Sequence, residues 1–288
     1  MKIPKRLQPL VEMGLVQRVV RPLTSGKEAA LFEVMVGDAR RVAKVYKGRE
    51  ERTFKRRDIY EEGRKVRGSR EERALRKGSR FGRECGEDAW QSAEMANLWR
   101  LLDGGVPVPK PYAFVEGVLL MELIVDATGE VAPRLWDYPW TAVEARTVFL
   151  SLVQATARAL RVGLIHGDLS EYNVLMGAEG PVIIDVPQAI EAANHPQARR
   201  LLLRDVANLR AFFARFAPEL AMSRFGEEMW RCYERGELGP DTTFSGKWRD
   251  SEKRVDVKQL IESCREEEAF ARRGPAVIRR GLSRAELN

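Results

Sequence analysis

Apolar residues gather in short runs in the first part of the chain and recur at helical spacing in the second. The run Leu31-Phe-Glu-Val-Met-Val36 meets a Gly37-Asp38 turn and then Val42-Ala-Lys-Val-Tyr46, which predicts two strands, the second carrying Lys44 among apolar neighbours. Trp90, Leu98 and Leu101 fall on one face of an amphipathic helix, and Glu94 shares that face. Val106-Pro-Val-Pro-Lys-Pro111 reads as a rigid extended lead into further strands, because proline fixes the backbone. From Trp140 the period turns helical, with Ala145, Val148, Phe149, Leu152, Thr156, Ala159 and Leu160 along one stripe. Val174-Leu-Met176 and Val182-Ile-Ile184 read as short buried strands around the turn Gly177-Ala-Glu-Gly180. Leu202, Val206, Leu209, Phe213 and Phe216 mark another helix. Glu227 to Glu237 and Val255 to Ala271 look helical too, separated by the Gly- and Thr-rich stretch 239–246. Strands first and helices after predict an α+β protein without internal repeats.

Two charged residues on apolar faces ask for each other. An ammonium among strand apolars is costly unless paired, and a carboxylate on a core-facing stripe has the same need, so Glu94 is the natural partner of Lys44. A second constellation carries chemistry. Asp168 and Asn173 in Leu164-Ile-His-Gly-Asp-Leu-Ser-Glu-Tyr-Asn173, with Asp185 closing Val182-Ile-Ile-Asp185, have the spacing of a kinase catalytic loop followed by a metal-binding aspartate. Phosphoryl transfer needs a carboxylate to orient the attacking hydroxyl and oxygen ligands to hold magnesium on the phosphates. The hairpin between Val174 and Ile184 would bring Asn173 and Asp185 to neighbouring strand ends. Asp205 either accepts hydrogen bonds from catalytic-loop amides or pairs with Arg204 or Arg210 at the surface.

A polar loop at the open end of the first hairpin suits phosphates, since Thr24, Ser25 and backbone amides donate hydrogen bonds. It is neither G-x-G-x-x-G, having only Gly26, nor a Walker loop, since Glu28 follows Gly26-Lys27 where Ser or Thr would bind magnesium.

Taken together, Thr24-Ser-Gly-Lys-Glu-Ala29, Lys44, Trp90 with Glu94, His166-Gly-Asp-Leu-Ser-Glu-Tyr-Asn173 and Ile184-Asp-Val186 resemble the RIO family of atypical serine protein kinases, closest to its Rio-one subfamily in the bacterial and archaeal form. Leu203-Arg-Asp-Val-Ala-Asn208 shares the likeness, which runs from about Leu15 to about Phe216. The resemblance implies a two-lobed protein-kinase-like fold without the usual activation loop and peptide-docking region. It implies ATP with magnesium or manganese, serine phosphorylation or autophosphorylation, and a link to small ribosomal subunit maturation. Position by position, it makes Asp168 the catalytic base, Asn173 and Asp185 the metal ligands, and Lys44 the phosphate grip oriented by Glu94. Ser25, Gly26 and Lys27 would lie over the triphosphate. Leu119-Leu-Met-Glu-Leu-Ile124 would end in the hinge, with Met121, the Glu122 carbonyl and the Ile124 amide at the adenine. In this subfamily the aspartate matching Asp185 can become an aspartyl-phosphate, so an ATP-driven assembly switch with little protein kinase activity stands beside the kinase reading. A small-molecule phosphotransferase with a similar H-G-D string is the third, disfavoured by the Ser25-Gly-Lys-Glu-Ala29 loop. Pro187 departs from the family pattern D-V-S-Q, stiffening the segment after Asp185 and removing an amide donor. Ser170 stands where common Ser/Thr kinases place lysine. About twenty residues before the phosphate loop are too few for the winged helix of a sister subfamily.

Composition refines the picture. The 288 residues, 44% hydrophobic, suffice for a large core and two packed lobes. The expected division is an N-lobe over 1–123, a C-lobe over 124–224 and a charged helical extension over 225–288. The net charge of +7 is uneven: from Arg40 to Arg83 stand eighteen Lys and Arg against seven Asp and Glu, and the remainder is net acidic. Such a segment beside the active-site mouth attracts phosphate backbones, so ribosomal RNA or a pre-ribosomal small subunit is an expected partner. Phe54, Tyr60 and Phe81 interleave there as stacking groups or loop anchors, and the basic stretch 272–281 is a second candidate contact. Cys85, Cys232 and Cys264 form no C-x-x-C pair and suit a reducing cytosol. His166 and His195 are too few for a histidine metal site. The N-terminus lacks the apolar core of a signal peptide, and no stretch is apolar long enough to cross a bilayer. A cytoplasmic monomer without membrane contact is the expectation.

Overall fold

In a computed structural model of the chain, residues 3–26, 29–47 and 93–247 are described. The first lobe is built on a five-stranded antiparallel sheet ordered β1-β2-β3-β5-β4, formed by β1 (Arg18–Ser25), β2 (Ala29–Val36), β3 (Ala39–Tyr46), β4 (Pro111–Val115) and β5 (Val118–Glu122). The β2–β3 hairpin turns at Gly37, whose φ of 58° lies in the left-handed region open to glycine. Its register sets Leu31 opposite Lys44. Thr24 and Ser25, expected in a polar loop, instead close strand β1. That strand forms the edge of the sheet, where polar side chains meet water and Pro22 costs no ladder bond on its outer side.

Both faces of the central strands are covered. The short helix α1 (Gln8–Glu12) and the turn before it set Leu10 and Leu7 against Val34, Ala43, Val45, Val118 and Leu120. The helix α2, running through 93–103, sets Leu98 and Leu101 in the cluster that also holds Tyr46 and Leu119. That double cover explains why Val42 to Tyr46 are all buried and why the lysine among them needed a partner. The helix α1 carries too few periodic positions to announce itself in the sequence.

The second lobe is helical. Helix α3 (Ala142–Arg161) starts with a capping box: the Glu144 amide donates to Thr141 Oγ1 at 3.3 Å, and the Thr141 amide donates to Glu144 Oε2 at 3.1 Å. Its buried face includes all seven stripe residues expected from the period. Thr156 satisfies its hydroxyl by donating to the Leu152 carbonyl at 2.8 Å. Helix α4 (Ala198–Phe213) packs on α3, and Phe216 falls in the turn beyond it. Two short pairings support the catalytic segment: β6 (Leu164–Ile165) with β9 (Ile190–Glu191), and the hairpin of β7 (Val174–Gly177) with β8 (Gly180–Ile183).

The core runs past residue 224. Helix α5 (Phe225–Glu234) buries Phe225 and Met229, its start lying two residues before the expected Glu227. Gly226 permits the close approach, since a Cβ there would meet Leu203 Cδ2 at 3.0 Å. The segment after α5 folds back on it, with Glu228 accepting from the Ser245 amide at 3.0 Å and the Gly246 amide at 2.9 Å. The expected helix over 255–271, the basic stretch 272–281, Lys27, Trp90, Phe54, Tyr60, Phe81, Cys85 and Cys264 lie outside the described residues.

Aromatic packing dominates the helical lobe. The Phe149 ring lies 5.9 Å from Phe213 and 5.6 Å from Phe225, and Trp140 meets Phe213 edge-on at 5.1 Å. Removing the ring that joins three helices, with Phe149→Ala, is expected to cost about 3–5 kcal/mol in urea unfolding. A loss under about 1 kcal/mol would show that the cluster is not the keystone of this lobe.

Candidate active site

The two lobes meet at Lys44. Its ammonium donates to Glu94 Oε1 at 2.7 Å and to Asp185 Oδ1 at 2.7 Å, so one buried cation joins strand β3, helix α2 and the segment after β8. Glu94 is 2% exposed and Lys44 7%, so water cannot replace either partner. Burial works against the ammonium, but the Asp185 and Glu94 carboxylates outweigh it and hold the Lys44 pKa well above its ordinary value. The Lys44 charge in turn holds Asp185 below the usual carboxylate range, despite the opposing effect of burial. Asp185 sits at φ +63°, an uncommon backbone state for a residue with a side chain. Nearly half of its side chain (46%) is open to solvent.

The catalytic segment is pinned from below by α4. Asp205, fully buried, accepts from the Gly167 amide at 2.7 Å and the Leu169 amide at 3.1 Å. Of the two readings open in the sequence, the loop-holding one is therefore realised. Arg204 donates to the Gly167 carbonyl and Asn208 to the Leu169 carbonyl, so three residues of one helix hold both sides of Asp168. His166 completes the frame: Nε2 donates to the Ile184 carbonyl at 3.0 Å while Nδ1 accepts from the Asp168 amide at 3.2 Å. That pairing requires the proton on Nε2. Asn173 donates from Nδ2 to the Asp168 carbonyl at 2.9 Å, and the Ile184 amide donates to the Asn173 carbonyl at 3.0 Å. Asn173 and Asp185 thus flank the open end of the β7–β8 hairpin, as the sequence spacing implied.

The other expected residues lie at the ends of sheet strands and in the turns that follow them. Ser25 ends β1, and the Gly26 amide closes the turn onto the Ala29 carbonyl at 2.9 Å while Lys47 donates to the Gly26 carbonyl at 2.6 Å. Met121 and Glu122 end β5. The Ile124 carbonyl accepts from Ala132 at 3.0 Å, whereas its amide makes no hydrogen bond among the described residues and stays available to a ligand edge. Sequence reasoning missed Arg134, whose charge reaches Asp185. It is held nearby because residue 134 bridges to Leu175. No local pattern marks such a residue.

The donor set suits a hard divalent cation. Asn173 and Asp185 offer two oxygens beside an opening for phosphates, the small protein share that magnesium takes when it keeps water and phosphate ligands. Among the described residues, no three or more His, Cys, Asp or Glu side chains form an all-protein metal cage.

Comparisons with known proteins agree with this geometry. A family model described as RIO domain matches residues 30–225. The RIO-type serine/threonine-protein kinase Rio1 of Haloferax volcanii is 36% identical over 210 residues, covering 72% of this chain and 67% of its own. The chain belongs to the RIO family. Serine/threonine-protein kinase rio1 of Schizosaccharomyces pombe is 33% identical over 216 residues, covering 73% of this chain and 41% of its own. The human serine/threonine-protein kinase RIO1 is 32% identical over 209 residues. This RIO chain therefore spans two thirds of the archaeal relative but well under half of the eukaryotic ones, matching 35% of the human protein. Its strand-rich first lobe and helical second lobe make the α+β, protein-kinase-like arrangement expected of the family.

Burial drives the Asp205 carboxyl up to about 6 from its ordinary 3.8, against the pull of His166, the two loop amides and Arg204. A carboxyl raised on folding favours its protonated form in the folded state. The stability it lends is complete below about pH 4 and is lost as the pH rises through about 6. Relative to Asp205→Asn, which does not titrate, the wild type is expected to lose up to roughly 3 kcal/mol between pH 4 and 7. Urea midpoints across that range measure it, and parallel pH profiles would refute it.

Proposed function

We propose that this protein is a RIO-type serine kinase that transfers the γ-phosphate of ATP to a serine hydroxyl. The carrying observation is Lys44, bound at once to Glu94 and Asp185 beside Asp168 and Asn173. An ammonium held in that way already stands in the cleft as a phosphate grip when nucleotide enters. In this reading Asp168 accepts the serine proton as the new oxygen–phosphorus bond forms and the bond to ADP breaks. Asn173 and Asp185 would hold magnesium or manganese, which neutralises charge on the phosphates. Ser25, Gly26 and Lys27 cover the triphosphate, and Met121, Glu122 and Ile124 receive the adenine.

One observation favours a second outcome at the same site. The Asp185 carboxylate is half-open to solvent, strained in its backbone and held anionic by Lys44. Attack by its free oxygen on the γ-phosphorus would expel ADP and leave an acyl phosphate that water cleaves, an ATPase cycle suited to an assembly switch. Mass spectrometry after incubation with ATP and magnesium separates the two outcomes. Phosphate on serine supports the kinase, a hydroxylamine-labile phosphate on Asp185 supports the switch, and neither sinks both. Asp168→Ala is expected to reduce serine transfer by about 10²–10⁴-fold, the usual share of a positioned base.

A pre-ribosomal small subunit or its RNA belongs to the same proposal, as does a cytoplasmic, monomeric protein. The support is the excess of positive charge over residues 40–83. Within the described end of that segment, Arg40 is bound to Glu33 and the Gly129 carbonyl, Lys44 to its two carboxylates and Lys47 to Gly26, while Arg41 lies over Tyr112 at 4.4 Å. An RNA contact would therefore rest on residues beyond 47. Neutralising four of the cations between Lys55 and Arg83 is expected to flatten the dependence of log affinity for RNA on log salt by about 3–4. An unchanged slope removes RNA from the reading.

A further inference from the structure

Beside the catalytic loop lies an aromatic surface that nucleotide chemistry does not use. Trp136, in the turn Leu135–Asp137, is 49% exposed, and Tyr172, between Asp168 and Asn173, is 44% exposed. Their rings stand 5.7 Å apart with planes 32° apart, forming a step that opens to solvent. The guanidinium of Arg215 lies 5.3 Å over the Trp136 ring and 5.7 and 5.6 Å over Phe212 and Phe216. Its side chain makes no hydrogen bond or ion pair among the described residues, although the acids Asp137 and Glu171 adjoin Trp136 and Tyr172 in sequence. An exposed guanidinium set among rings instead of carboxylates keeps its N–H donors for a ligand, and a carboxylate can take two of them in parallel.

Each part is held independently of any ligand. Leu135 is fully buried and its carbonyl accepts from Trp140 Nε1 at 2.8 Å, fixing the turn that carries Trp136. The same turn is laced to β7, with the Met176 amide donating to the Pro133 carbonyl at 2.8 Å. Tyr172 is fixed by the loop bonds of Asn173 and Asp168. Two rigid rings and a stacked cation lose little entropy when something binds them.

We propose that Trp136, Tyr172 and Arg215 form the docking surface for an acidic peptide segment of the protein acceptor. This deepens the kinase reading and rests on it. An aspartate or glutamate of the acceptor would meet Arg215, a neighbouring apolar or aromatic side chain would lie on the Trp136–Tyr172 step, and the serine would thereby be led toward Asp168. Charge decides against the chain's own insertion as the occupant. Residues 40–83 carry eighteen basic against seven acidic side chains and would be repelled by Arg215.

Fluorescence anisotropy on the full-length chain with magnesium and a non-hydrolysable ATP analogue tests it. The probes are a labelled serine peptide flanked by glutamates and one tryptophan, its lysine-flanked counterpart, and oligouridylate. The acidic peptide is expected to bind about ten-fold tighter than the basic one, and Trp136→Ala and Arg215→Glu each to weaken it by about ten-fold, with Arg215→Glu reversing the preference. A nucleotide-induced rise in melting temperature reports that each variant is folded, and Arg215→Met serves if Arg215→Glu is not. Equal binding of both peptides, or variants that bind as the wild type does, overturns the proposal. Oligouridylate binding tighter than the acidic peptide and lost on Arg215→Glu overturns it in favour of a stacking platform for single-stranded RNA. Binding needs no phosphoryl transfer, so the two readings fail separately. An absent docking surface shows in unaltered dissociation constants, and an absent kinase in unlabelled serine.

Discussion

A buried ammonium with two carboxylate partners governs this molecule. Strand β3 is covered on both faces, so Lys44 cannot reach water and its charge must be met by protein. Removing one partner of a buried pair strands a charge at a cost of about 3–5 kcal/mol, far more than an exposed pair is worth. The exposed pair of Arg146 and Glu219, each about half open to solvent, contrasts with it. The consequence is geometric. Because Glu94 comes from α2 and Asp185 from the second lobe, satisfying one charge fixes the placement of three segments that are far apart in sequence.

The lower half of the site obeys the same logic through hydrogen bonds. A loop that must present Asp168 to a substrate cannot bury its backbone in a ladder, so its amides and carbonyls need other partners. Helix α4 supplies them through Arg204 and Asp205 and through Asn208 one turn further on. A carboxylate is the acceptor that can serve two amides at once, and burial of Asp205 is what that service costs. Rigidity beneath the loop then allows exposure above it, where Tyr172 and Asp168 face the solvent side.

The sequence disclosed those features that need a partner or keep a period. Lys44 and Glu94 were legible because each is anomalous on an apolar face, and the α3 stripe because seven residues repeat at helical spacing. Asp205 was half legible: its position on a helix was clear, but whether it faced loop or solvent depends on how α4 rotates against the catalytic segment. The strand β1 was not legible, because an edge strand with arginines, proline and serine has no apolar alternation and is defined by its neighbour β2 alone. Arg134 and Trp136 were invisible for a similar reason. Their placement comes from a turn laced to β7, a contact between residues about forty positions apart. Of the expected site residues, Ser25, Gly26, Lys44, Glu94, Met121, Glu122, Ile124, Asp168, Asn173 and Asp185 are among the described residues, and Lys27 lies outside them.

In the proposed reading Lys44 and a divalent cation would both call on Asp185, and the geometry leaves room for both. The ammonium takes Oδ1 at 2.7 Å, on the side that faces β3. Nearly half of the side chain (46%) is open to solvent, which leaves the second oxygen without a protein partner among the described residues. A carboxylate offers several lone-pair directions, so one oxygen can hold the lysine while the other faces the cleft. The backbone of Asp185 is left-handed just beyond strand β8, at a cost of about 1–3 kcal/mol in strain. Glu94 offsets the competition, because a lysine already satisfied by one buried carboxylate can loosen its hold on Asp185 without becoming a bare charge in the core. The pairing thus works as a shared contact that adjusts as charge enters the cleft, and Glu94 is the fixed half of it.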